Sequence, residues 1–335
     1  MQGKAGPVPD GISPLPRSRP NRRDFIAGFG AALAAPVAVA APVALVPALA
    51  PRASLAAAPA HRKLGSVEIM IISDGTLSVP LSFSLPETPG AEAASLLAAH
   101  GLPADGKVQT NVTLVRTGDQ VVLIDAGSGP KFQQTAGKLS ENLEAAGISP
   151  EKVTKVVFTH GHADHLWGAI DDFDDGERFP NATYVISAPE WDFWTHPDTP
   201  TKVPDWLKGM AIGSARILKL IEKKVERRKD GEAVAPGLTF VATPGHTPGH
   251  MAVMVESGKE RLLVGGDVFS NNAVSFARPE WRVGSDFDRD LGAQTRWRML
   301  GQLASDRIPL IGFHLTWPGQ GMVERSGTAF RFIPT

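Results

Sequence analysis

The chain has 335 residues, with 34 Lys and Arg against 35 Asp and Glu, 42% apolar residues and no Cys. That length supplies a sizeable core for one large domain or two small ones, and the balanced charge gives no global pull towards nucleic acid or anionic lipid. Without Cys there is no disulfide framework, thiol nucleophile, iron–sulfur cluster or thiolate zinc site, so a bound metal must rest on carboxylates and on the nine His.

Residues 1–60 differ from the rest. They hold ten of the 28 Pro but only two acidic residues, Asp10 and Asp24. Arg22 and Arg23 stand in Asn21-Arg-Arg-Asp-Phe-Ile26, and a weakly apolar Ala/Val/Leu run follows to Ala50. This order, closed by the small-residue site Ala58-Pro59-Ala60, resembles a twin-arginine export signal. Pro36, Pro42 and Pro47 interrupt the run and argue against a membrane anchor. The expectation is a signal peptide and linker over 1–60, read by the twin-arginine export machinery, a catalytic domain over 61–335, and a periplasmic or secreted location. Loss of the segment removes six basic and two acidic residues and moves the formal charge from −1 to −5.

Further along, spacing predicts a strand over 67–73, stopped by the turn signal Asp74-Gly75, and a hairpin of 111–116 and 120–125 across Thr117-Gly118-Asp119. A helix is expected over 132–146, with Phe132, Leu139, Leu143 and Ala146 on one face and Gly147 as its stop. A buried strand over 153–159 then runs into a His cluster. More strands are expected over 182–187, 238–243, 251–256, 261–265 and 308–312, and more helices over 189–195, 206–221 and 288–305. Strands outnumber helices and lie beside antiparallel-looking neighbours, which suits an α+β fold of two packed sheets with helices outside. The acidic run 171–177 reads as a solvated turn because Phe173 breaks the alternation of a calcium loop, and the basic run 223–229 reads as a solvated face.

The informative segment is Thr159-His-Gly-His-Ala-Asp-His165. Its spacing is too tight for the paired His of a helical H-E-x-x-H site, so it belongs to a loop at a strand end. Gly161 and Ala163 let that loop curl, so that His160 and His162 converge on one metal while Asp164 and His165 point at a second. Imidazole and carboxylate suit zinc first, and manganese, cobalt or iron fit the same donors.

Leu123-Ile-Asp-Ala-Gly127 precedes the cluster, and Thr243-Pro-Gly-His-Thr-Pro-Gly-His250, Gly265-Gly-Asp267 and Gly312-Phe-His314 follow it. In this order the chain resembles the metallo-β-lactamase fold hydrolases over most of 67–333. The resemblance implies an αββα sandwich, two packed mixed β-sheets flanked by helices, holding two divalent metal ions per subunit. His160, His162 and His246 would hold one ion, Asp164, His165 and His314 the other, and Asp267 would bridge them. It also implies that Asp125 braces a ligand His and that His250 is an outer donor or a structural histidine. A metal-bridging hydroxide would attack an ester-type bond, with Asp164 or Asp267 accepting the proton.

Within the superfamily, Ser73-Asp-Gly-Thr76, Phe179-Pro-Asn-Ala182, Asp192-Phe-Trp194, His314-Leu-Thr-Trp-Pro-Gly319 and Phe330-Arg-Phe-Ile-Pro334 are similar to the methyl parathion hydrolase group, whose members cleave organophosphate triesters, lactones and aryl esters. That likeness implies an aromatic leaving-group pocket with Phe132, Trp194 and either Trp206 or Leu207; ordinary core packing is the other reading of these side chains. A lactonase as the native activity stays open, although signal lactonases of this fold use a Tyr near the metals and the one Tyr here, Tyr184, falls in an expected strand. A β-lactamase and, from a different class, a metal-bound but non-catalytic binding protein are the remaining alternatives. The expected partner is a small-molecule ester, lactone or phosphotriester rather than nucleic acid. The aromatic-rich segment 191–206 is expected to be exposed, where it could serve a homodimer as well as a pocket.

Overall fold

The computed structural model describes residues 58–171 and 173–335. The export segment expected over 1–60 lies, up to residue 57, outside the described residues. Among those described, no helix is long and apolar enough to cross a membrane.

The described residues build two seven-stranded sheets, each with its strands in chain order. The first holds β1 (Ala60–Leu64), β2 (Val67–Ser78), β3 (Lys107–Thr117), β4 (Gln120–Ile124), β5 (Lys155–Val157), β6 (Thr183–Ser187) and β7 (Val225–Arg228). The second holds β8 (Ala233–Ala235), β9 (Leu238–Ala242), β10 (Met251–Ser257), β11 (Glu260–Val264), β12 (Leu310–Ile311), β13 (Gln320–Ser326) and β14 (Ala329–Pro334).

Alternation along the strands decides the layering, because successive side chains point to opposite faces. Val122 and Ile124 join Val157, Val185, Val253, Val255, Leu262, Val264 and Ile311 in one cluster, which is the core between the sheets. Their neighbours face outward. Leu123, Val156, Tyr184 and Ile186 pack with Leu139, Leu143, Trp191, Leu207, Ile217 and Leu218 from the helices Leu139–Ala145, Ala188–Thr195 and Asp205–Ile221. On the far side, Ala252, Met254, Leu263 and Leu310 pack with Met299, Leu300 and Leu303 of helix Arg289–Asp306. The result is the expected αββα sandwich. A one-residue slip of β4 would swap Leu123 with its neighbours between layers, so packing fixes the register.

Several local expectations change. The antiparallel reading holds for β1 to β4 and for most of the second sheet, but β4–β5, β5–β6, β6–β7 and β11–β12 pair in parallel. Parallel pairing brings the carboxyl ends of β4, β5 and β6 to one edge, as it does those of β11 and β12, and the site grows from those ends. Asp74-Gly75 does not end its strand: the β2–β3 register shifts between Ser73 and Thr76 and the strand continues to Ser78. Gly75 sits at φ +110°, and a Cβ there would lie 2.2 Å from the Thr135 carbonyl oxygen, so the bulge admits little else. The inturned Asp74 carboxylate accepts from the backbone N–H of Ser128, Gly137 and Leu139. It thereby starts the helix at Leu139, not at Phe132, and residues 132–138 form a loop wrapped around that carboxylate. The basic run becomes the edge strand β7, and its Glu226 pairs with Lys155 at 3.2 Å. The acidic run is a turn that leaves Phe173 97% exposed.

Candidate metal centre

Five loops deliver the site. The segment after β5 carries His160, His162, Asp164 and His165, with Ala163–Leu166 wound into one helical turn. The β9–β10 loop carries His246, the turn after β11 carries Asp267, the turn after β12 carries His314, and Asp125 directly follows β4. A hydrogen bond from Ala126 N–H to the His165 carbonyl (2.7 Å) ties two of these ends together.

The side chains meet in two groups, each with donor atoms within 4.8 Å of one another: His160, His162, His246 and Asp267, then Asp164, His165 and His314. Asp267 joins them. Its Oδ2 is 3.2 Å from Nε2 of both His246 and His314 and 3.9 Å from Nε2 of His160, and its Oδ1 is 3.1 Å from Nε2 of His165. Asp164 Oδ2 lies 3.4 Å from His165 Nε2 and 3.3 Å from His314 Nε2. His246 Nε2 is 2.9 Å from His162 Nδ1.

Outer contacts fix which ring nitrogen faces inward. His165 donates from Nδ1 to Asp125 (2.8 Å), His246 from Nδ1 to Asp286 (3.0 Å), and His314 from Nδ1 to the Gln109 carbonyl (2.7 Å), so Nε2 of all three points at the centre. Asp125 also accepts from Thr159 N–H and Oγ1–H, and that hydroxyl is 3.1 Å from His160 Nδ1. Asn111 Nδ2 donates to the carbonyls of Gly312 and Leu315 on either side of His314. His250, read as an outer donor, meets the site as an acceptor: Asp267 N–H donates to its Nε2 (3.0 Å), while its Nδ1 is 2.8 Å from Thr243 Oγ1. Asp286 was missed by sequence reasoning. It lies forty positions from His246 in Ser285-Asp-Phe287, where no motif marks it.

Charge and burial set the protonation. Burial alone would lower all the imidazoles. At His165 the carboxylates of Asp267, Asp164 and Asp125 outweigh it and hold the pKa well above the ordinary value. Asp267 likewise leads in raising His246 to about 9 and His314 to about 10. His160 and His162 stay well below, through burial and then neighbouring imidazoles, and His250 falls to about 3 for the same reasons. Asp164 and Asp267 pay for burial yet remain far below the usual carboxylate range because imidazoles surround them. Nε2 of His160 and Nε2 of His162 are buried without a hydrogen-bond partner. An unpartnered buried polar atom costs about 1–3 kcal/mol, and a divalent cation among these lone pairs would remove that cost, so the donor set fits such an ion.

Beside these groups opens a cavity of about 690 Å³, whose apolar lining includes Leu77, Leu81, Phe83, Phe132, Trp206 and Met210. Of the expected pocket residues, Phe132 and Trp206 line it. Trp194 and Leu207 do not: both are buried in the helix-covered core, Trp194 with its ring edge-on to His162 at 5.6 Å. Their apolar surface is covered by neighbouring helices before any ligand could reach it. The segment 191–206 is not the exposed patch expected, since Trp191 and Trp194 are both buried and only Trp206 is substantially exposed among its Trp residues. Tyr184 lies in the outer core of the first sheet, where its hydroxyl contacts Glu177, and is absent from the cavity wall.

Sequence comparison aligns the chain with curated relatives such as a probable metallo-hydrolase of Mycobacterium tuberculosis, 28% identical over 189 residues, 48% of this chain and 56% of the relative. The N-acyl homoserine lactonase AttM of Rhizobium radiobacter is 32% identical over 133 residues, 37% of this chain and 44% of the relative. The chain thus spans about half the length of these relatives. Among solved structures, the dizinc quorum-quenching lactonase AidC superposes with a TM-score of 0.78 at 29% identity, covering 83% of this chain and 97% of that one. The hydrolase AbOPH of the beta lactamase superfamily gives 0.77 at 27% identity, covering 83% and 98%. The model of the metallo-beta-lactamase superfamily matches residues 105–309, and the chain belongs to that superfamily.

Proposed function

We propose that the protein is a metal-dependent hydrolase that holds two divalent cations, zinc by preference, and cleaves an uncharged ester-type bond, with a lactone as the favoured substrate. The observation that carries this reading is the convergence of seven His and Asp side chains, five of which (His162, Asp164, His246, Asp267 and His314) line a largely apolar cavity. His160, His162 and His246 are assigned to one cation, Asp164, His165 and His314 to the other, and Asp267 to both. Divalent cations held there would supply a water ionised near neutral pH and a Lewis acid for the carbonyl. Asp164, which lines the cavity beside His165 and His314, is assigned as the acceptor of the proton released by that attack.

The walls support an uncharged substrate. Lys107 is the only Lys or Arg among the described lining residues, and it lies 3.9 Å from Asp105, so apart from the cation site itself these walls offer no unpaired Lys or Arg to a charged group of a substrate. AidC and AttM, both named as lactonases, support the ring ester. An aryl ester or organophosphate triester is the second reading, favoured by Phe132 and Trp206 on the wall. The Tyr role of signal lactonases has no candidate in Tyr184. Export through the twin-arginine route to the periplasm or beyond belongs to the same proposal and rests on the pattern of residues 1–60.

Zinc- or manganese-loaded protein should turn over a lactone faster than an aryl ester or a phosphotriester, and a chelator should abolish all three rates. The reading fails if the folded chain binds fewer than two metals, or if His162→Ala and Asp267→Asn leave hydrolysis unchanged.

A further inference from the structure

Ser187-Ala-Pro-Glu190 has the sequence of a capping box, in which a Glu at the third helical position turns back to the N-cap N–H. Half of the box forms, since Ser187 Oγ accepts from Glu190 N–H at 3.2 Å. The Glu190 side chain goes elsewhere. Fully buried, it reaches the two loops that bring His160, His162 and His246 together. Oε1 accepts from Gly161 N–H (2.9 Å), between His160 and His162, and from Trp194 Nε1–H (2.5 Å). Oε2 accepts from Thr247 Oγ1–H (2.7 Å) and Gly249 N–H (2.9 Å), in the loop that starts at His246. Ser187 Oγ closes the same loop by donating to the Gly249 carbonyl at 2.6 Å.

From this division of labour, one oxygen to each loop, we propose that Glu190 is a positioning residue that sets the spacing of the His160–His162 loop from the His246 loop, and so the strength of the cation group formed by those three histidines. This rests on the two-cation reading above. The glycines agree with it: a Cβ on Gly161 would lie 2.4 Å from the Trp194 ring, and one on Gly249 would lie 2.1 Å from Glu190 N. The Trp194 ring, edge-on to His162, gives the same helix a second hold on that group. Among the described residues the Glu190 carboxylate makes no hydrogen bond to Asp164, His165 or His314, and its bonds fall beside His160, His162 and His246, so its larger effect is expected on their group. A carboxylate suits this, because three of the four partners are N–H groups that only donate, they are spread over both oxygens, and the nitrogen of an amide cannot accept. Gln at 190 must leave either Gly249 N–H or both Gly161 N–H and Trp194 Nε1–H without their acceptor, and so loosens its hold on one loop or the other.

The test is stepwise titration of metal-free protein with zinc and with cobalt, read by calorimetry and by the cobalt absorption bands. His246→Ala identifies which binding step belongs to the proposed group. Glu190→Gln should weaken that step by about 10–100-fold, shift its cobalt bands and leave the other step near wild type. Thr247→Val and Trp194→Phe each remove one donor, should stay folded by circular dichroism, and should show a smaller loss at the same step; they decide the matter if the Gln variant does not fold. Equal weakening of both steps, or wild-type affinity at both with unchanged bands, would overturn the proposal. Fewer than two cations on the wild-type chain would instead sink the reading on which it rests.

Discussion

Arg296 is a fully buried cation in the middle of helix Arg289–Asp306. Its Nη2 donates to Asp286 at 2.9 Å, and its other nitrogens donate to the carbonyls of Val268, Pro279 and Trp281 at 3.0–3.2 Å. Asp286 in turn accepts from His246 Nδ1, so the chain Arg296–Asp286–His246 joins the outer helix to the metal centre. Arg296→Met keeps most of the side-chain bulk but leaves the Asp286 carboxylate buried beside a single imidazole. Breaking a buried pair from one side costs about 3–5 kcal/mol. At roughly 2–4 °C per kcal/mol for a domain of this size, the melting temperature should fall by about 6–20 °C. Urea unfolding at constant pH, with chelator present throughout, measures the loss without a metal contribution. Adding Asp286→Leu should restore most of the stability, since removing both charges also removes the uncompensated one, yet His246 then lacks its acceptor and metal binding should stay weak. A single variant within about 1 kcal/mol of wild type, or a double variant no more stable than the single, would refute the idea that burial makes this pair costly to break.

Other outcomes follow from the same geometry. His246 and His314 titrate at about 9 and 10 in the metal-free chain, above the ordinary value near 6.5, so their carboxylate pairings stabilise the fold fully below about pH 6.5 and are lost as pH rises through 9–10. Chelator-treated protein should therefore melt at a lower temperature at pH 10 than at pH 7, and a higher melting point at pH 10 would contradict this. Metal uptake must expel those same protons, so zinc added near pH 7 in weak buffer should acidify the solution beyond a matched blank, whereas His314→Ala should release fewer protons. Gly75→Ala should cost at least about 1–3 kcal/mol in urea unfolding, because the new Cβ meets the Thr135 carbonyl at a strained φ; unchanged stability would mean that the bulge relaxes freely.

Much of this protein is written in short-range pattern. The apolar runs of 120–125, 251–256 and 261–265 name the strands, and each is split between two cores because successive side chains on a strand must face opposite ways whatever lies beyond. The same local logic places His160, His162, Asp164 and His165 on a strand-end loop, and motif order adds His246, Asp267 and His314, which do meet in space. Spacing on one face says nothing of what covers that face. Phe132 and Leu139 share helical spacing, yet the Asp74 carboxylate, sixty-five positions from Leu139, decides where the helix starts. Trp194 and Leu207 looked like pocket aromatics and their neighbours, but adjoining helices bury them first. Asp286 carries no motif and Glu190 reads only as the end of a capping box, because a hydrogen bond across forty or fifty-nine positions leaves no trace in local spacing. The sequence by itself determined the strands and the cluster of imidazoles and carboxylates. Which groups brace that cluster, and which side chains reach the cavity beside it, only the packing of distant segments could decide.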